Sequence, residues 1–188
     1  KVSLGTRPGA GGKIVFPAPV AAPRDATPIG FINPPAILTT AIQKGMPSLW
    51  PRLELIGNVI DDPQTFTVHA DTPLKDLTGL AALAKAKPGG VHVGTSGGAV
   101  ATSLFERAAG VKVNFIPYKG AGDLRAALAG KQIVVAGFSI GEAFQALKGG
   151  TPVRVLAVFS HTRSTLAPDV PTAREQGFDI EAAALRGP

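Results

Sequence analysis

Short apolar runs alternate with segments of mixed polarity along most of the chain from Gln64 onward. The runs have the length of buried strands, and the segments between them repeat apolar positions at helical spacing. Four of the runs are predicted strands: Val91–Val93, Val113–Pro117, Ile133–Phe138 and Val153–Phe159. Three segments that end at glycine are predicted helices: Ala99–Ala109, Asp123–Ala129 and Ser139–Leu147. This alternation predicts an α/β fold with parallel strands.

Further elements are predicted at the edges of this region. Leu53–Val59 and Gln64–His69 are predicted strands on either side of a turn at Asp61-Asp62-Pro63. Thr72-Pro73 places a capping residue and a proline where a helix begins, and that helix is predicted to run to Lys87. Near the C-terminal end, the pattern predicts a short helix before a glycine: Pro171–Gln176.

The segment from Val91 to Ala109 carries the clearest functional signal. An apolar run ends in Gly94-Thr95-Ser96-Gly97-Gly98, and an amphipathic helix follows. Such a turn exposes backbone N–H groups and carries small hydroxyls. The start of a helix has unsatisfied N–H donors and a partial positive charge, so it attracts anions. The segment therefore predicts a cleft that holds a small anion, in particular a carboxylate.

Two more strand-to-helix turns are predicted near residues 120 and 139. In an open α/β sheet such turns gather at one edge, where ligands bind. Lys119 would suit a carboxylate ligand, although a solvated surface lysine is an equal alternative. Phe138 and Ser139 could contact the ligand from the third turn, and packing of Phe138 in the core is an equal alternative.

The same turn also fits the G-x-S-x-G pattern of serine hydrolases, and the chain order allows Ser96, Asp123 and His161 as a triad. Three observations weaken this alternative. No glycine cluster for an oxyanion hole precedes the turn at a convincing place in the sequence, His161 lies in a polar segment, and Asp123 fits a helix N-cap. Anion binding is therefore the favoured interpretation of the turn.

Composition narrows the class of protein further. The chain is 45% hydrophobic and 17% charged, which is typical of a folded domain with a core. The net charge of +6 suits an anionic partner, but scattered cations and 6% aromatic residues argue against nucleic-acid binding. Cysteine is absent, and the three histidines lack the spacing of metal ligands, so neither a metal nor a cofactor is predicted. No run is long enough for a membrane span, and no apolar signal core opens the sequence, so an export signal is expected to lie outside it.

Short motifs spread along nearly the whole chain are informative as a set. They are, in order, Arg7–Gly12, Leu74–Pro88, Val93–Gly97, Ile116–Gly120, Leu156–Ser160 and Ala167–Thr172, followed by Glu175 and Gly177. The most specific are Pro-Tyr-Lys-Gly at 117–120 and Pro-Asp-Val-Pro-Thr at 168–172. Together these segments resemble the substrate-binding proteins of tripartite tricarboxylate transporters, called Bug receptors.

The resemblance implies a two-lobed, type II periplasmic-binding-protein-like α/β fold. Such a receptor closes on a small carboxylate compound in the periplasm and presents it to membrane subunits of a transporter, without making or breaking a bond. The implied lobes are residues 1–62 with 160–188, and residues 63–159. The implied ligand-binding residues form one wall from Gly94, Thr95, Ser96, Gly97, Gly98 and Thr102, a second wall from Ile32, Asn33 and Pro34, and a side from Phe138 and Ser139.

The first lobe is expected to be incomplete. Compared with the family, the sequence lacks a first strand with its glycine-rich ligand loop and the strands that follow Ala184. Two alternatives follow: a fragment, or a shortened paralogue that binds no ligand. A homodimer in which a second copy completes the lobe is a further option, because an unpaired sheet edge is unstable alone.

Overall fold

The computed structural model describes residues 56–96 and 99–186, together with the single positions 30, 42, 45 and 54. The chain divides into two compact units, Lys1–Asp61 with Ala184–Pro188, and Asp62–Ala183. The described residues belong mostly to the second unit, and nearly all of the described strands and helices lie within it.

Strands and helices alternate between residues 60 and 186. The strands are β1 (Ile60–His69), β2 (His92–Thr95), β3 (Asn114–Pro117), β4 (Val135–Ser139), β5 (Val153–Val158) and β6 (Ala183–Arg186). The helices are α1 (Leu77–Ala86), α2 (Val100–Ala109), α3 (Ala121–Ala129) and α4 (Ile140–Lys148). A short 3-10 helix, Arg174–Gln176, lies between β5 and β6.

The strands form one mixed sheet in the order β3-β2-β4-β1-β5, and β6 pairs with β1. β2 runs parallel to both β3 and β4, as the sequence predicts. β1, in contrast, runs antiparallel to β4 and β5. The α/β class is thus confirmed, and the parallel arrangement is confirmed for three adjacent strands only. Apolar runs predict strands but do not encode the direction in which neighbours run.

Helices cover both faces of this sheet. One core cluster joins the sheet to α1 and α2, and its aromatic centre is Phe66, whose ring meets Phe105 edge-on with centroids 5.4 Å apart and Phe159 at 4.8 Å. A second cluster joins the other face to α3 and α4 through Leu124, Leu128 and smaller apolar side chains. Burial on both faces is typical of the parallel part of α/β sheets, whose strands are apolar throughout.

The predicted turn at Asp61-Asp62-Pro63 is wrong, because all three residues lie inside β1. The predicted strand at Leu53–Val59 is also wrong where it is described, since positions 54 and 56–59 form no strand. At the predicted turn, pairing of β1 with its neighbouring strands prevails over the local signal, and Asp62 adds a side-chain contact. Its carboxylate accepts a hydrogen bond at 3.2 Å from the backbone N–H of Gly141, 79 residues away. Together these tertiary interactions override the local preference of Asp and Pro for a turn.

α1 begins at Leu77, five residues after the predicted cap at Thr72. Asp76 is the actual N-cap and accepts a hydrogen bond at 2.7 Å from the N–H of Gly79. Residues 70–74 instead form a loop that Arg154 holds from β5. The Arg154 guanidinium donates to the carbonyl oxygens of Ala70, Thr72 and Leu74 at 3.0–3.3 Å.

The three helices predicted after Ala99 are confirmed within two residues of their ends. α2 ends where Gly110 adopts the left-handed conformation with φ 63°, and α4 begins after the N-cap Ser139. Asp123 is not an N-cap as predicted, because Gly120 has that position and Asp123 lies in the first turn of α3. The short helix predicted at 171–176 is the 3-10 helix, and Gly177 follows it with φ 85°.

Residues 160–183 are part of the second unit. Thr172 forms a parallel bridge to Val158, and Ala173 and Ile180 are buried in the cluster around Phe66. The division of the chain into a partial first lobe of 1–62 with 160–188 and a second lobe of 63–159 stays a prediction.

Candidate functional site

Three strand-to-helix turns meet at one edge of the sheet. Because β2 is parallel to β3 and β4 and lies between them, the carboxyl ends of the three strands are neighbours. Thr95, the last residue of β2, lies opposite Pro117 on β3 and Gly137 on β4. The helices α2, α3 and α4 all begin from this edge, which confirms the predicted gathering of the turns.

Two glycines allow the close packing beneath this edge. A Cβ atom at Gly94 would lie 2.7–2.8 Å from side-chain atoms of Leu124, Ile133 and Tyr118. A Cβ atom at Gly137 would lie 2.9 Å from the methyl carbon of Thr95. Both separations are below van der Waals contact, so only glycine fits at either position without movement of the neighbours. These glycines therefore place Thr95 and the following turn.

The N-terminus of α2 has no side-chain cap. Its N-cap is Ala99, which offers no side-chain acceptor, and the first intrahelical hydrogen bond runs from the N–H of Ser103 to the carbonyl oxygen of Ala99 at 2.8 Å. The N–H groups that precede Ser103 have no acceptor within the helix. They and the helix dipole create a positive potential after β2.

Thr102 lies in this first turn and is the unusual residue of the site. Its side chain is 2% exposed, and its Oγ1 has no hydrogen-bond partner among the described residues. Buried hydroxyls are nearly always paired, so an orphaned one calls for a specific explanation. The Cα–Cβ bonds of a helix tilt towards its N-terminus, so the Thr102 side chain leans towards the end of α2 that carries the uncapped N–H groups. Together they suit a ligand that supplies hydrogen-bond acceptors, such as a carboxylate.

The N-terminus of α4 is arranged in the opposite way. Ser139 and Glu142 form a reciprocal capping box, with the Ser139 Oγ accepting from the Glu142 N–H at 3.3 Å and a Glu142 carboxylate oxygen accepting from the Ser139 N–H at 3.0 Å. The carboxylate of Asp62 takes the N–H of Gly141. Ser139 and Phe138 are each 1% exposed, and the Phe138 ring packs in the cluster beneath α3 and α4.

The remaining predicted ligand-binding residues divide into two groups. Ser96 is half-buried directly after β2, and Lys119 is exposed directly after β3. Neither side chain has a hydrogen bond or ion pair within the described ranges. Four other predicted residues lie outside the described residues: Ile32, Asn33, Gly97 and Gly98.

Asp62 and Glu142 are the site-edge residues that sequence reasoning missed. For Glu142 a signal exists, because Ser139-x-x-Glu142 is the spacing of a capping box. For Asp62 no local signal exists, since its contact with α4 joins residues far apart in the chain.

The contacts give no support to the hydrolase alternative. The Nδ1 atom of His161 is hydrogen-bonded to the guanidinium of Arg174, and Asp123 is exposed in the first turn of α3. Within the described part of the chain, no group of three or more His, Asp or Glu side chains is placed to hold a metal ion. The helices described there are also too short or too polar to cross a membrane.

An open groove of about 730 Å³ lies away from this edge, between the C-terminal parts of α1 and α2. Its lining includes Lys85 and Arg107, which belong to the last turns of these helices. Cations are favourable at helix C-termini, where they complement the negative end of the dipole. Their presence in the groove therefore has a structural explanation.

The Pro-Asp-Val-Pro-Thr motif is held by a network around Glu175. The Glu175 carboxylate accepts from the Thr172 N–H at 2.7 Å and from the Arg163 Nε at 2.9 Å, while the Thr172 hydroxyl accepts from the Glu175 N–H at 3.1 Å. Arg163 also donates to the carbonyl of Pro168 at 3.1 Å. The hydrogen bond from Arg163, followed by that from the Thr172 backbone, lowers the pKa of Glu175 below its ordinary value of 4.5. The motif thus has a structural role.

Glu175→Gln is expected to lower stability at pH 7, because the amide loses the charged pair with Arg163. A depressed carboxyl pKa contributes stability above 4.5 that is lost as pH falls through the folded-state pKa. The difference in urea midpoint between the two proteins should therefore shrink below pH 4.5. Glu181→Gln, which removes a carboxylate 3.8 Å from Arg174, should change the midpoint at pH 7 less. If the difference in urea midpoint between the wild type and Glu175→Gln stays constant from pH 7 to pH 2, the ionised Glu175 carboxylate does not stabilise the fold through Arg163.

Helices on both faces of a mixed sheet, with three strand-to-helix turns at one edge, define a lobe of a periplasmic-binding-protein-like α/β fold. The profile of the Tripartite tricarboxylate transporter family receptor, TctC, matches residues 1–186. The chain belongs to this family, as the motifs in its sequence predict.

Individual relatives agree with this assignment. BugT of Bordetella pertussis is 32% identical over 127 residues, which are 65% of this chain and 39% of BugT. A UPF0065 protein of Agrobacterium vitis is 32% identical over 134 residues, which are 69% of this chain and 38% of that protein. The chain thus spans about two fifths of the length of these relatives.

Solved structures of the same family share the fold. The periplasmic binding protein BugD superposes with a TM-score of 0.78 at 27% identity, over 95% of this chain and 62% of BugD. A TctC solute-binding protein from Polaromonas gives 0.76 at 28% identity, over 96% of this chain and 62% of that one. MatC from Rhodopseudomonas palustris, solved with bound malate, gives 0.65 at 25% identity, over 72% and 48%. These likenesses confirm the predicted fold class, and the chain spans about three fifths of the length of BugD and of the Polaromonas protein.

Proposed function

We propose that this chain is the ligand-binding part of a periplasmic receptor that captures a small carboxylate compound for a tripartite tricarboxylate-type transporter. Membership of the receptor family supports the proposal, as do relatives solved with malate and with adipate. The observation that carries it in this chain is the orphaned, buried Thr102 hydroxyl beside the uncapped N-terminus of α2.

The chemistry of the proposed site follows from these donors. One carboxylate of the ligand accepts hydrogen bonds from the N–H groups of the first turn of α2 and from the Thr102 hydroxyl, directly or through one water. Ser96 supplies a second hydroxyl from the end of β2. Lys119 adds positive potential from the end of β3, which favours the approach of an anion. No bond is made or broken in this step, so the proposal is binding and not catalysis.

Other parts of the predicted site complete the proposal. Gly97, Gly98, Ile32 and Asn33 are included as ligand-binding residues on the resemblance to the receptor family alone. Phe138 and Ser139 bound the site through their backbone, since their side chains are committed to the core and to the cap of α4. The transporter's membrane subunits are the proposed protein partner. The predicted homodimer has no support from the comparisons, so the proposal involves one receptor chain.

Calorimetric titration of the 188-residue chain tests the proposal. The probes are malate, adipate and citrate, each beside its uncharged amide: malamide, adipamide and citramide. We expect saturable binding of at least one acid and none of the matching amide, because the N–H groups of α2 select for negative charge.

Two results would contradict the proposal. The absence of heat and of a thermal shift with every acid would favour the alternative of a paralogue that binds no ligand. Equal affinity for an acid and its amide would show that α2 does not act as a carboxylate site.

A further inference from the structure

Among the described strands, β3 and β5 are the two outer strands of the sheet, and they are protected in different ways. The outer side of β5 is covered by the chain that follows it. The Val158 N–H donates to the carbonyl of Pro171 at 3.1 Å, and the Ala173 N–H donates to the carbonyl of Val158 at 3.0 Å. The Gln176 side chain also donates to the carbonyl of Leu156 at 2.9 Å. β3 has no such cover from the described strands, since it pairs with β2 alone.

The outer side of β3 offers few backbone N–H donors. The N–H groups of Asn114 and Tyr118 both donate to carbonyl oxygens on the β2 side, at 2.8 Å. Backbone groups of successive residues in a strand alternate in direction, so those of Val113, Phe115 and Pro117 point outward. Proline has no N–H. Only Val113 and Phe115 could therefore donate a hydrogen bond to a strand added at this side.

Glu106, near the end of α2, takes one of these two donors. Its carboxylate accepts a hydrogen bond from the Val113 N–H at 2.9 Å, and it lies 3.7 Å from the Nζ atom of Lys112. A carboxylate can accept hydrogen bonds but cannot donate them. An incoming strand would thus have to displace Glu106 to reach the Val113 N–H. Phe115 is left with the one available donor on the outer side of β3.

We propose that Glu106 and Pro117 prevent β3 from pairing with β3 of a second copy of this chain. Proteins protect edge strands with charged side chains, with proline and by keeping the strands short, and β3 is four residues long. With one N–H donor in each copy, two antiparallel β3 strands form too few hydrogen bonds to offset the cost of association. The contact between Glu106 and Val113 is therefore an inhibitory contact against self-association. This inference does not depend on the proposed function.

The test combines two substitutions in the whole chain. Glu106→Ala frees the Val113 N–H, and Pro117→Val adds a donor at position 117. Alanine favours helices and valine favours strands, so each new residue suits its element. We expect the double variant to self-associate about tenfold more tightly than the wild type, because each copy contributes two further donors. Sedimentation velocity over a range of protein concentrations measures this difference.

Glu106→Gln is the matched control, because it removes the same charge while its amide oxygen can still accept from the Val113 N–H. Its self-association should equal that of the wild type. Amide hydrogen exchange, followed residue by residue by NMR, locates the contact. The Phe115 N–H should exchange more slowly as the double variant associates, since this donor then enters the new pair of strands.

Three results would overturn the proposal. The first is a double variant that associates no more tightly than the wild type. The second is association that leaves exchange of the Phe115 N–H unchanged, because the contact then lies elsewhere. The third is equal association of Glu106→Gln and Glu106→Ala, which would make the charge and not the hydrogen bond the cause. If the double variant does not fold, Glu106→Ala alone carries the test and should still associate more tightly than Glu106→Gln.

Discussion

Gly94→Ala is expected to lower the free energy of unfolding by about 1–3 kcal/mol, the usual cost of overpacking a well-packed core. The added methyl group would lie 2.7–2.8 Å from three side chains in three separate parts of the chain, namely Leu124 in α3, Tyr118 after β3 and Ile133 before β4, so no single rotation relieves the contact. Leu124 and Ile133 are buried, and Tyr118 is partly buried beside them. Urea denaturation measures the change, with an unchanged m-value as the sign that two-state unfolding is retained.

Gly122→Ala is the control, because it makes the same chemical change in open space. Gly122 lies inside α3, and a Cβ atom there would meet nothing within 4 Å. Alanine is the better helix former, so this variant should gain up to about 1 kcal/mol of stability. We therefore expect Gly94→Ala to lower the free energy of unfolding and Gly122→Ala to raise it. A neutral Gly94→Ala would show that the packing under the sheet edge is loose.

Much of the fold was accessible from sequence because its signals are local. The apolar runs of β2, β3 and β4 are short and bounded by polar or glycine residues, and each helix after Ala99 ends at a glycine that marks its C-terminus. The wrong predictions fall at positions whose structure is determined by a contact with a residue far away in the sequence. Arg154 binds the carbonyls of residues 70–74 and keeps them out of α1, and Asp62 reaches Gly141 from inside a strand. Neither interaction has a signature within a sequence window.

The candidate site was predictable in its position and less so in its chemistry. Parallel strands followed by helices place the turns after Thr95, Pro117 and Ser139 at one edge, whatever their side chains do. Which helix end is free for a ligand depends on capping. A capping box at Ser139 is readable from Glu142, whereas the orphaned state of the Thr102 hydroxyl becomes visible only when its packing is known.

Thr102→Val is expected to separate ligand binding from stability. Valine has nearly the shape of threonine, and the Thr102 hydroxyl has no partner in the described structure, so its removal breaks no internal hydrogen bond. Burying an unpaired hydroxyl costs about 1–3 kcal/mol, and the ligand-free variant should therefore be as stable as the wild type or more stable. Hydrogen bonds to charged groups contribute about 1.5–3 kcal/mol, so affinity for the bound acid should fall about tenfold or more.

Ser103→Ala controls for this change, since Ser103 is the exposed neighbour whose side chain faces the groove between α1 and α2. It should leave affinity unchanged. Calorimetric titration and urea denaturation of both variants give the two quantities independently. If Thr102→Val loses stability, the hydroxyl has an internal role and the carboxylate site at α2 loses its main support. If stability holds and affinity is also unchanged, the carboxylate binds elsewhere on the edge. If the uncapped end of α2 and the Thr102 hydroxyl bind the carboxylate together, Thr102→Val must bind the acid more weakly than the wild type while being at least as stable.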